Sequence, residues 1–148
     1  MRTLRACLAA AALVAAGGCL GDGGKVTLTF DQQSSVTPAI TAFNASDGTA
    51  VEESDHFIHF TATSPQGTIT MLIVPPLNIG DMVDLSAEHN VISFDRGGTP
   101  AAGWSNNTGT LMVLGVSPYK LQFEAVPMLP GSGASMGSFV VNGSGTFK

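Results

Sequence analysis

The strongest constraint on the fold is a change of rhythm at Lys25. From there Val26, Leu28 and Phe30 alternate with Lys25, Thr27 and Thr29, the period of an extended strand with one face on a core and the other in water. Further strand-like runs, alternating or briefly apolar, follow at residues 36–43, 56–63, 68–74, 91–94, 108–116, 119–126 and 138–147. About eight strands result. After residue 19 no segment sustains a 3.6-residue apolar period with caps, and the best helical candidate is a single turn over residues 84–88. The expectation is an all-β domain over residues 25–148, an antiparallel β-sandwich or a partly open barrel. Leu72-Ile73-Val74 and Leu111-Met-Val-Leu114 are apolar on both faces, which predicts two central strands covered on each side.

Turn residues punctuate these runs. Ser64-Pro-Gln-Gly67 reads as a tight hairpin, because proline presets one turn dihedral and glycine permits a positive φ. Ser117-Pro-Tyr-Lys120 is a weaker turn of the same kind, and Asp47-Gly48 a looser one. Residues 97–103 and 127–137, rich in Gly, Pro and Ser, read as long connections, the usual seat of binding residues.

The start of the chain carries an address. Arg2 and Arg5 precede an apolar run from Ala6 to Ala16, and Gly17-Gly18 lead to Cys19, the layout of a secretory signal. The run is short for a membrane span, which needs roughly 20 apolar residues. Ala16-Gly17-Gly18-Cys19 resembles the lipobox of bacterial lipoproteins, with Ala16 where a larger aliphatic residue is usual. The resemblance implies a cleaved signal peptide over residues 1–18, lipidation (palmitate among the acyl groups) of Cys19 as first mature residue, and a flexible tether over 19–24. The address is then the bacterial cell envelope, with the chain lipid-anchored to the outer membrane. Cys7 leaves with the signal, so no internal disulfide can form and the fold rests on packing alone.

Charge narrows the partners. Only Lys25, Arg96, Lys120 and Lys148 follow the signal, against all eleven acids, and the whole chain already carries −5. Nucleic acid is excluded as a partner for want of clustered Lys and Arg, and attraction to anionic lipid for the same reason. Membrane association falls to the lipid on Cys19.

The candidate chemistry points away from catalysis. His56 and His59 fall on opposite faces of one strand and His89 lies elsewhere, so a three- or four-ligand metal site is not expected. Asp81, Asp84 and Glu88, like Glu52, Glu53 and Asp55, lack the spacing of a calcium loop. Ser132 and Ser144 sit between glycines without the strand-to-helix context of a nucleophile elbow. Paired carboxylates in an aromatic cleft, which a glycosidase needs, are not in evidence. Trp104, next to Asn106 and Asn107, is either a ligand platform or an apolar plug at one end of the domain, and the plug is favoured because Trp is highly buried on average.

One wider resemblance covers residues 54–147. Thr68-Ile-Thr-Met-Leu-Ile73, Asn78-Ile-Gly80, Trp104-Ser-Asn-Asn-Thr-Gly-Thr-Leu111 and the closing Gly137-Ser-Phe-Val-Val-Asn-Gly-Ser-Gly-Thr-Phe147 are similar to uncharacterised bacterial lipoprotein families. The resemblance implies a β-sandwich and no chemistry. The expectation is a non-enzymatic binding or structural module without cofactor or metal. It would meet a protein or glycan through the loops around Trp104, Asn106, Asn107 and residues 127–136. The alternative is a carrier of apolar or lipid ligands in a half-open barrel, suggested by five flexible methionines after the signal.

Overall fold

The computed structural model describes residues 24–53, 56–87, 89–106 and 108–148. All regular structure among them is β: β1 (Val26–Gln32), β2 (Ala42–Ala45), β3 (Thr49–Glu52), β4 (Ile58–Ser64), β5 (Gly67–Ile73), β6 (Met82–Asp84), β7 (Val91–Arg96), β8 (Ala102–Asn106), β9 (Thr110–Val116), β10 (Tyr119–Gly133) and β11 (Phe139–Phe147). Every pairing is antiparallel, and the strands form one curled sheet, a half-barrel. Each of the eight expected runs contains a strand. The three additional ones, β3, β6 and β8, are five residues or shorter.

Two arms meet on β10. In the first arm the order is β6-β9-β10-β11-β1-β2, and in the second β10-β8-β7-β5-β4-β3. β10 serves both because it is fifteen residues long and broken by a bulge. Its inward residues are Leu121 and Phe123, then Val126 and Met128, so the parity of the alternation switches at Glu124-Ala125, where one extra residue enters the strand. Ala125 takes a left-handed φ of 49°. Its N–H donates to Asn142 Oδ1 at 2.7 Å, and Asn142 Nδ2 donates to Asp31 Oδ2 at 2.8 Å, so three neighbouring strands brace the bend. Residues 127–133, read from the sequence as a connection, are therefore the second half of this strand, whose last part pairs with β8.

Aromatic rings fill the space between the arms. Phe94 on β7 meets Phe30 on β1 at 5.1 Å, Phe43 on β2 at 6.1 Å and Phe139 on β11 at 6.5 Å between centroids. Phe60 on β4 packs edge-on against Phe147 on β11 and Tyr119 on β10, each at 5.3 Å. Burying a side chain of this size contributes roughly 1.5–3 kcal/mol, so these rings hold the curl. At the open margin Ala50 N–H on β3 donates to Lys148 O at 2.6 Å, and Lys148 N–H donates to Gly48 O at 3.0 Å. Gly24, in the expected tether, is buried and accepts the Gly48 N–H.

Several expectations are corrected. The run 36–43 yields strand only from Ala42. Pro38 lacks the N–H a ladder needs, and Val36 and Ile40 are buried without one. The doubly apolar runs are not covered on both sides. Ile73, Leu111 and Val113 face the core, whereas Leu72 is half-buried and Val74 and Leu114 are exposed on the outer face. Among the described residues no layer packs over that face, so apolar side chains there are at most half-buried. At residues 84–87 the chain makes one hydrogen-bonded turn, Ala87 N–H donating to Asp84 O at 3.3 Å, with no helix among the described residues: Asp84 ends β6 and accepts hydrogen bonds from the Ser86 N–H and hydroxyl at 2.8 and 2.7 Å. These bonds hold its carboxyl below the usual range. The hairpin at Ser64–Gly67 is as read, with Ser64 opposite Gly67 and Gly67 at φ 145°.

Candidate functional site

Trp104 is the plug. It is 1% exposed, its ring packs on Phe139 at 5.6 Å and Phe94 at 6.2 Å, and its Nε1–H donates to Gly137 O at 3.0 Å. Buried and satisfied, it has no face left for a ligand. Asn106 is buried as well, with Oδ1 accepting from the Thr108 N–H and hydroxyl at 2.7 and 3.0 Å and Nδ2 donating to Thr108 O. It shapes its own turn. Asn107 and Cys19 lie outside the described residues, as do Asp55 and Glu88.

The other candidates do not converge. His59 Nε2 lies 3.5 Å from Glu53 Oε2 on the outer face, while the exposed His89 meets the Phe57 ring edge-on at 5.9 Å. His56 and His89 both take positive φ values, 74° and 75°, so each serves a tight turn. Asp81 Oδ2 accepts from the Asn78 backbone and side chain at 2.7 and 3.2 Å. Glu52 accepts the Tyr119 hydroxyl at 2.7 Å. Asp81, Glu52, Glu53 and Asp84 are thus each occupied by contacts of their own and do not share a site.

What the two glycine-rich stretches build instead is a cleft. Ala101 and Ala102 from the first and Ser132 and Gly133 from the second join the β4–β5 turn and the end of β7 around a volume of about 470 Å³. Ligand pockets commonly run from roughly 300 to 1,000 Å³, with mostly apolar walls and a few placed polar groups. The walls here include Pro65, Ala101 and Ala102, and the polar groups are the side chains of Thr63, Thr68, Asp95, Arg96 and Ser132.

Strand register explains how those side chains meet. Thr63 pairs with Thr68, Thr68 with Asp95, Asp95 with Gly103 and Gly103 with Ser132, a straight row on the outer face of five strands. Gly103 is its gap. A Cβ there would lie 2.4 Å from Ser132 Oγ and 2.7 Å from Asp95 Oδ1, so both oxygens lean over the bare Cα from opposite sides. Thr63 and Thr68 hydroxyls share a hydrogen bond of 3.2 Å. Neither the Asp95 carboxylate nor the Arg96 guanidinium has a hydrogen-bond or ion-pair partner among the described residues. Arg96, one residue on, has the inward parity of Phe94 and also lines a second cleft of about 330 Å³ with Ala39, Thr41 and Gln66.

Sequence reasoning marked the two glycine-rich stretches, weighed Ser132 only as a nucleophile and Gly103 only as loop, and missed Asp95. The usable signal was Phe94 and Trp104, large apolar residues each flanked by small or polar ones, which mark β7 and β8 as neighbours with Asp95 and Gly103 facing out. The cleft lies toward the Gln32–Phe139 end of the β1–β11 pair, since Phe94 and Trp104 beside it pack on Phe139. Gly24 and Lys148 meet Gly48 at the opposite, Val26–Gly145 end. Compared with protein-family models, curated proteins and solved structures, the chain matches none.

Proposed function

We propose that this chain is a lipid-anchored binding module of the bacterial cell envelope, non-enzymatic, of the uncharacterised lipoprotein kind its sequence resembles. The observation that carries the binding role is the cleft beside Gly103, lined by a carboxylate and several hydroxyls from the outer face and by the Arg96 guanidinium from the other parity of β7, both charged groups unpaired among the described residues. The cleft lining holds one carboxylate and no histidine or cysteine, a set suited to accepting and donating hydrogen bonds rather than to activating a nucleophile. Rings packed between the arms favour this reading over a carrier of apolar ligands, which needs that space.

The anchor would be the acyl groups on Cys19, each buried methylene adding about 0.8 kcal/mol to membrane affinity. Cys19→Ser should move the chain from the detergent phase to the aqueous phase, and retention in detergent would sink the anchor. For the binding role, a photo-reactive residue placed at Gln66 or Ala101 in cells should give adducts that the same residue at Thr29, on the other arm, does not. Equal labelling from all three positions would sink the cleft as the contact site.

A further inference from the structure

We infer that the outer face of the second arm, centred on the Gly103 notch, binds a neutral glycan. This rests on the binding role proposed above and names its ligand class. The first support is the arrangement of acceptors and donors. Two oxygens of different chemistry, the Asp95 carboxylate and the Ser132 hydroxyl, converge over a position with no side chain and fill the space a Cβ would take, which brings both within reach of neighbouring hydroxyls on one ligand. A carboxylate accepts two hydroxyl protons side by side, as a vicinal diol presents them, while a serine hydroxyl both donates and accepts.

The second support is the surface around the notch. The next outward row reads Thr61, Thr70, Ser93 and Ser105, paired in register across β4, β5, β7 and β8. With Thr63 and Thr68 this makes two adjacent rows of hydroxyls on one sheet face. Away from Asp95 these rows offer a sugar many weak, reversible hydrogen bonds without charge, and Pro65 and Ala101 at the cleft wall offer the C–H side of a pyranose an apolar contact. The third support is the sign of the charge. Asp95 is the acid nearest the notch, and the chain as a whole is acidic, so uronate- and phosphate-bearing glycans meet repulsion where neutral ones do not. Arg96, the only guanidinium among the described residues, has the inner parity of its strand and lines both this cleft and the second one, so its substitution serves as the charge control.

The test uses the full chain in detergent micelles on a panel of immobilised neutral and uronate-containing oligosaccharides. Binding to a subset of the neutral ones is expected. Asp95→Asn should weaken it at least about tenfold, since hydrogen bonds to charged groups are the stronger class, and Ser132→Ala about threefold to tenfold. Gly103→Ala should abolish it, because the added methyl would displace the Ser132 and Asp95 oxygens that now cover that position. Its new methyl meets only the ends of two side chains, so the fold is expected to survive, and an unchanged melt would confirm that. If Gly103→Ala nonetheless unfolds, the two exposed-site variants carry the test. Thr27→Val on the other arm should change nothing. Absence of neutral-glycan binding across the panel would overturn the inference, as would binding that persists in the folded Asp95→Asn and Ser132→Ala variants. Preference for uronates, lost on Arg96→Gln, would overturn it too. Position-specific adducts at Gln66 and Ala101 without any glycan binding would leave the binding role standing and remove only the glycan.

Discussion

Phe94 with Trp104 and Asp95 with Gly103 are successive cross-strand pairs on the same two strands, and they do opposite things. The first pair places two large rings 6.2 Å apart in the core. The second, one residue along, places a carboxylate beside a missing side chain on the outer face. A pleated sheet makes this possible because neighbouring residues point to opposite sides. The rings fix the spacing of β7 and β8 on one side, and the notch inherits that spacing on the other. Binding geometry on the outside is thus set by packing on the inside.

The largest test of that division is Trp104→Ala. Losing a buried indole leaves a cavity and strips Gly137 O of its donor, so a denaturant melt should lose about 3–5 kcal/mol. A loss under about 0.5 kcal/mol, the range of surface changes, would mean the ring does not hold the two strands. A smaller contrast is available on β9, where Leu111 is buried and Leu114 is 44% exposed. Leu111→Ala should cost about 2–5 kcal/mol and Leu114→Ala within about 0.5 kcal/mol. Equal costs would deny that inside and outside differ there.

The smallest effect concerns Tyr119, which straddles the divide, its ring on Phe60 and its hydroxyl on Glu52 at 2.7 Å. Partial burial and then the Glu52 carboxylate push its pKa up from 10 to about 12, so the fold favours the neutral phenol. Its contribution to stability is therefore complete below pH 10 and is lost as pH rises from 10 through 12. Because the chain has one tyrosine, tyrosinate absorbance reports it cleanly. A midpoint near 12 is expected, falling toward 10 in Glu52→Gln, and a midpoint of 10 in the native chain would refute the contact.

Alternation made most of the half-barrel legible, since a strand with one buried face writes its period into the residues. β3, β6 and β8 were hidden for different reasons. β3 and β6 lie at sheet margins, where backbone pairing demands little of the side chains. β8 carries Gly103, which reads as loop until the strand beside it is known. The bend in β10 was present as a parity change, Leu121 and Phe123 giving way to Val126 and Met128, but a strand assignment that stopped at Val126 could not register it. The site was harder still. Its row is assembled from Thr63, Thr68, Asp95, Gly103 and Ser132 by register, and register depends on turns and bulges that local composition does not specify.

The pairing of β1 with β11 has a consequence for how the chain reaches this state. Val26 sits opposite Gly145 and Gln32 opposite Phe139, so the first described strand waits for the last before its place in the sheet exists. Closing so long a loop is slow relative to forming hairpins such as β4–β5. An order of events follows in which the second arm can assemble while the first remains open, and the last nine strand residues act as the latch. Until they arrive, β1 and β10 expose unpaired edges, the period in which such a chain is most prone to associate with its own copies.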